Sequence, residues 1–217
     1  MGFSPRSPQL IRGGLVLVEA DTGKALRIIT LQYNSDTLTR SLQIKGVGGD
    51  SGEFSEAMRL KGPPVETIKL EVEIDATDQL AAGNAEAAEL GLHAQLALLE
   101  TLVYPASAEL RANNAEARSG SIEIVAMQKP LLLFVWGKTR VLPVRITEFS
   151  ITEESFDVVL NPIRAKISLS LRVLTVDDVG FEHRGGSIFM SYLQQKEQMA
   201  SRVTNASFGA LGITGIP

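Results

Sequence analysis

The stretch LLLFVWGKTRVLPVRITEFSITEESFDVVLNPIRAKISLSLRVLTV, residues 131–176, decides the fold. Runs of β-branched and aromatic residues are punctuated by Trp136-Gly137, by Asn161-Pro162 and by the Arg164-Ala165 step. Such a series reads as consecutive short strands of one sheet. Its last part alternates strictly: Arg164, Lys166, Ser168, Ser170 and Arg172 are separated by apolar residues. Successive side chains of a strand point to opposite faces, so these five form one polar row.

Working outward, the upstream chain supplies the rest of the sheet. Leu15 to Val18 and Leu26 to Tyr33 read as two strands joined by a turn at Asp21-Thr22-Gly23-Lys24. Leu38 to Ile44 alternates, with Leu38, Arg40, Leu42 and Ile44 on one face. Gly46 to Pro64 breaks the pattern with glycines and two closing prolines, and reads as a long flexible loop with a helical turn at Ser55 to Leu60. Thr67 to Asp75 is the clearest strand. Ile68, Leu70, Val72 and Ile74 face a core, while Thr67, Lys69, Glu71, Glu73 and Asp75 face water or a partner.

The period then changes to helical over Ala81 to Tyr104, and Pro105 ends that helix. Ala106 to Gly120 is expected as loop with a short helix at Ser107 to Arg111, and Ser121 to Met127 as a strand. Beyond Val176, Asp177-Asp178 and Gly185-Gly186 mark the end of the sheet. Ser187 to Val203 is amphipathic, with Ser187 as its N-cap, and Thr204 to Pro217 is a loose tail.

Composition bounds the function. The chain has 217 residues, 44% of them hydrophobic, enough for one large domain with its own core. It has no cysteine, which excludes disulfides, thiol catalysis and Cys-based zinc sites. A net charge of −4, with both signs well mixed, argues against nucleic acid as the main partner. No apolar run approaches the roughly 18 residues that span a bilayer. Met1 to Pro8 is polar and proline-broken rather than a secretory signal, so the expectation is cytoplasmic, with no membrane partner.

The motifs with chemical precedent are incomplete. Asp21-Thr22-Gly23 matches the aspartic-protease tripeptide, but that chemistry needs two copies sharing a proton, and one is present. Gly49-Asp50-Ser51-Gly52 resembles the nucleophile loop of trypsin-like proteases, yet no histidine precedes Ser51 to serve as its base. The same glycines lack the Gly-Lys-Ser/Thr of a phosphate loop. His93 and His183 have no ligand neighbour at metal spacing, and Asp177-Asp178 fits a solvated strand end as well as an acid pair. The expectation is therefore no catalytic residue, no metal and no cofactor: a structural or binding protein.

Several pieces together resemble the tube-domain family of contractile injection systems, which are phage-tail-like particles. They are Leu31 to Leu38, Gly62-Pro63-Pro64, the strand ending Ile74-Asp75, Leu96 to Pro105, Leu132 to Gly137, Val144 to Ser150 and Asn161 to Ala165. The resemblance runs from about Leu15 to Val176. It implies a mainly β (α+β) fold: an antiparallel tail-tube-like barrel or sandwich over residues 10–180, with one flanking helix, followed by a C-terminal helical extension over 181–217. It further implies a homo-oligomer, a hexameric ring at the baseplate that joins the central spike to the inner tube. Candidate intersubunit or partner contacts are Tyr33, Asn34, Arg40, Trp136, Arg164, Lys166 and Arg172. Two departures stand out. The tail lacks the peptidoglycan-binding module common in spike adaptors, and Val158-Val159-Leu160-Asn161 replaces the family's Gly-containing turn. A β-barrel hydrolase using Asp21 or Asp177-Asp178, or a small-ligand barrel, is the alternative.

Overall fold

The computed structural model describes residues 10–46, 59–118, 129–204 and 206–216. Among them seven strands form one antiparallel sheet. These are β1 (Gly14–Val18), β2 (Ala25–Thr30), β3 (Leu38–Gln43), β4 (Val65–Asp75), β5 (Leu131–Val135), β6 (Val141–Phe156) and β7 (Pro162–Val173). Their order across the sheet is β2-β1-β5-β6-β7-β4-β3. The helices are α1 (Thr77–Ala81), α2 (Ala85–Leu90), α3 (His93–Glu100), α4 (Ser107–Arg118), α5 (Val176–Val179) and α6 (Arg184–Ala200).

The sheet is open, which corrects the barrel expectation. Closure requires β2 and β3 to pair, and each has only one partner strand among the described residues. The reason lies in β6. Its first residues, Val141 to Val144, pair with β5, whereas Val144 to Phe156 pair with β7. The two halves of the sheet are thereby displaced along β6, and the edge strands sit on opposite flanks. An irregularity in the β6–β7 pairing follows between Ile146 and Glu148.

Alternation decides what is buried. Ile68, Leu70, Val72 and Ile74 of β4 join Ala165, Ile167, Leu169, Leu171 and Val173 of β7 in one apolar cluster. Leu15, Ile29, Phe134, Leu142 and Val144 extend it across the other strands, and Leu92, Leu96, Leu99, Phe189 and Tyr192 complete it from α3, its N-cap and α6. Each aliphatic side chain buried there contributes roughly 1.5–3 kcal/mol over exposure.

The helices differ from expectation in three ways. Ala81 to Tyr104 is not one helix: it breaks at Gly83 (φ 72°) and Gly91 (φ 53°). Gly91 is forced, because a Cβ there would lie 2.5 Å from the Pro162 carbonyl oxygen, and Leu92 N donates to that same oxygen at 2.8 Å. Residues 107–118 form a full helix, α4, with Glu109 in its first turn and Arg118 in its last, which suits the helix dipole. The last long helix starts at Arg184, ahead of the expected Ser187. His183 caps it, its Nδ1 accepting from Gly185 N at 3.0 Å. Gly185 and Gly186 thus begin a helix rather than end a sheet, and position 186 must be glycine because a side chain there would collide with Gly180 O.

The strand expected at Ser121 to Met127 and most of the 46–64 loop lie outside the described residues. Gly46 and Leu60 form an antiparallel bridge where that loop leaves and returns. The C-terminal residues carry a 3₁₀ turn, Phe208–Leu211, and are exposed.

Candidate functional site

The strands' register assembles a broad polar face on β6, β7 and β4. Directly paired residues of antiparallel strands share a face, so register assembles it without further assumption. Asp75, Glu73, Glu71, Lys69 and Thr67 stand opposite Arg164, Lys166, Ser168, Ser170 and Arg172. On the other side of β7, Glu154, Thr152, Ser150, Glu148 and Arg145 stand opposite the same five residues. Thr39 and Ser41 of β3 extend it beyond β4. Fifteen residues of three central strands therefore present one polar sheet surface.

Most of the charge on this face is paired within the chain. Arg164 bridges Asp75 at 2.9 Å, Lys166 bridges Glu154 at 3.2 Å and Lys69 reaches Glu148 at 3.4 Å. Arg172 donates to Asp178 at 2.5 Å. Hydrogen bonding from Thr77, working against desolvation and joined by Arg164, holds the Asp75 carboxyl below its ordinary value. The Asp75 and Glu154 partners in turn raise Arg164 and Lys166 above theirs. Both cations stay charged through the physiological range.

The other expected contacts fall elsewhere. Asn34 ties the chain to itself: its Oδ1 accepts from Gly13 N at 2.8 Å and its Nδ2 donates to Ile11 O at 2.9 Å. Trp136 stacks on Phe134 with ring centroids 5.7 Å apart and packs over Gly13. Tyr33 stands half exposed beside Asn34. These three therefore gather around the segment leading into β1.

Arg40 lies on the opposite, apolar face. Its guanidinium meets Glu66 at 2.6 Å and the Tyr192 hydroxyl at 2.9 Å. Lys196 of α6 reaches Glu66 at 3.4 Å and sits 4.1 Å from the Tyr192 ring centroid. Glu66 is 3% exposed, so one buried carboxylate holds two cations and ties α6 to β3 and β4. Hydrogen bonding to Glu66 raises the Arg40 pKa despite desolvation. Sequence reasoning missed Glu66, Tyr192 and Lys196. A signal existed, because Glu66 is in phase with Ile68, Leu70, Val72 and Ile74, and Arg40 with Leu38 and Leu42. Opposite charges at apolar-phase positions of neighbouring strands mark a buried pair.

The residues with catalytic precedent are occupied structurally. Asp21-Thr22-Gly23 forms the β1–β2 turn, where Gly23 has φ 71° and its N–H donates to Glu19 O at 2.8 Å. Asp178 closes a capping box with Thr175, and Asp177 bridges Lys45 at 2.9 Å. Among the described residues no group of three His, Asp or Glu side chains is placed to hold a metal.

A family model matches most of the chain. The family model described as contractile injection system tube protein covers residues 17–178. This chain belongs to that family. No curated protein sequence matches the chain. The tube-family region ends within α5, so α6 and the C-terminal residues lie beyond it, although Phe189 and Tyr192 of α6 enter the main core. Among the described residues no helix of this tube-family protein is long and apolar enough to cross a membrane.

The β6–β7 turn carries Val158-Val159-Leu160-Asn161 where the resemblance led us to expect a Gly-containing turn. Asp157 Oδ1 accepts from Val159 N and Asn161 N, both at 2.8 Å, and Asn161 Nδ2 donates to Asp157 Oδ2 at 2.9 Å. Against the desolvation that pushes it up, these donors hold the Asp157 carboxyl below its usual value. Leu160 takes φ 69°, the left-handed region, which costs an L-residue roughly 1–2 kcal/mol. A glycine would sit there without strain.

Proposed function

We propose that this chain is a baseplate or inner-tube component that closes as a hexamer into a ring joining the central spike to the inner tube. One observation carries the reading: a polar sheet face most of whose charges are already paired within the subunit. Such a face needs water rather than a protein partner, and facing a channel satisfies it. In this reading the row Arg164, Lys166, Ser168, Ser170 and Arg172 lines the lumen with the polar residues of β4 and β6. The subunit's function is mechanical, with no catalytic group, metal or cofactor, and assembly takes place in the cytoplasm without nucleic acid.

The open edges supply the contacts between subunits. Leu26 and Ile28 are exposed on β2, and Leu42 is exposed on β3 with Ile44 just beyond it. An uncovered edge strand offers backbone donors and acceptors to another chain. Pairing the β2 edge of one copy with the β3 edge of the next is a head-to-tail contact, which closes into a ring when the rotation allows. Tyr33, Asn34 and Trp136 then serve contacts along the ring axis, and Arg40 stiffens the β3 edge that a neighbour meets.

Electron microscopy of the purified chain and of particles tests this. Rings are expected, dispersed by lysine at Ile28 or Leu42. A strictly monomeric protein absent from particles would overturn the proposal.

A further inference from the structure

The β6–β7 turn displays Val158 (101% exposed), Val159 (69%) and Leu160 (76%), flanked by the half-exposed Phe156. These side chains ride on a rigid frame, because Asp157 accepts from two backbone N–H groups of the turn and Asn161 anchors it to Glu89 O at 2.9 Å. A rigid apolar knob loses little conformational freedom on docking. The left-handed Leu160 helps close the turn, its N–H donating to Asp157 O at 3.2 Å, while its side chain stays exposed.

The same chain carries a groove of about 650 Å³ between the α3–α4 connection and the sheet, lined chiefly by apolar groups such as Leu17, Leu102, Val103, Tyr104, Leu132 and Ile146. Its volume is that of a site that buries a drug-sized group, which three aliphatic side chains resemble in bulk. Lys129 and Arg145 rim it, with the single carboxylate of Glu109. The knob is flanked by the Asp157 carboxylate, which gives the groove's cationic rim an anion to meet. They cannot meet within one subunit along β6: eleven residues separate Ile146 from Asp157, roughly 35 Å of extended strand.

We propose that Val158, Val159 and Leu160 of one copy seat in this groove on a second copy of the chain. The contact is heterologous and runs along the strands, whereas ring closure runs across the sheet edges. It deepens the ring reading and rests on it in one respect, that copies of this chain associate. A partner ring of a different protein is the competing occupant, and it predicts no contact between copies here.

The chain has no native cysteine, so two full-length variants, Val159→Cys and Tyr104→Cys, can be mixed and oxidised. The expected result is a disulfide-linked dimer in the mixture that neither variant forms alone, nor Val159→Cys mixed with a Ser168→Cys control. In a second arm, Val158→Ser with Val159→Ser weakens self-association by about tenfold or more in sedimentation, from the apolar area lost. Leu160→Gly weakens it too while raising the unfolding midpoint. Cross-linking no better than the control, or association unchanged by the tip substitutions, would overturn the proposal. Rings that persist without the cross-link sink this contact alone; copies that never associate sink the ring reading with it.

Discussion

The two faces of the central strands handle charge in opposite ways. On the apolar face Glu66 is buried with Arg40, Lys196 and the Tyr192 hydroxyl, and the group holds a helix to the sheet. On the polar face Asp75–Arg164, Lys166–Glu154 and Lys69–Glu148 lie along open strands, with Lys69 and Glu148 60% and 70% exposed. Similar side chains at similar distances thus do different work. Buried, the pairing is a structural requirement, because a lone charge there is costly; exposed, it tunes a surface at little energetic consequence.

Substitutions can break this contrast, beginning with the largest effect. Glu66→Ala strands two cations beside the core and is expected to cost about 3 kcal/mol, visible as a lower urea midpoint. Gly91→Ala comes next, at about 2 kcal/mol, since it combines a left-handed φ with a clash on Pro162 O. Lys69→Ala on the open face should change stability by less than about 0.5 kcal/mol. If it matches Glu66→Ala, the distinction between the faces fails.

Acid sharpens the same comparison with another small effect. The folded Asp75 carboxyl titrates below its unfolded value, so its stabilising contribution is present above about pH 4 and is lost as pH falls through the lower folded value. Asp75→Asn should remove that part of the acid dependence and leave neutral-pH stability lower by less than about 1 kcal/mol. Unfolding midpoints measured from pH 7 to pH 2.5 check this.

Much of the sheet was legible because period two is a local property. Thr67 to Asp75, the β1–β2 turn and the β6–β7 connection at Asn161-Pro162 could all be read from neighbours in sequence. The helical region was less so. Gly83 and Gly91 stood in plain view, yet the reason for Gly91 is the Pro162 carbonyl, seventy-one residues away. Openness of the sheet was hidden as well, since it depends on where β6 changes partners. Of the candidate contacts, the polar row on β7 followed from alternation alone. The pairing of Arg40 with Glu66 and α6 needed three distant segments brought together, although the misplaced phase of Glu66 was a clue.

The apolar turn at Val158 to Leu160 stood out in the sequence only against the Gly-containing turn that the resemblance implied. Its exposure and its left-handed leucine give that departure a physical content. Whether the turn and the polar face act as described depends on how copies are arranged, and one measurement addresses that arrangement directly. A cryo-microscopy reconstruction of the assembled protein should show a ring with Lys166, Ser168 and Ser170 facing the channel and the helices outside. A ring with that face turned outward, or buried against another protein, would contradict the account.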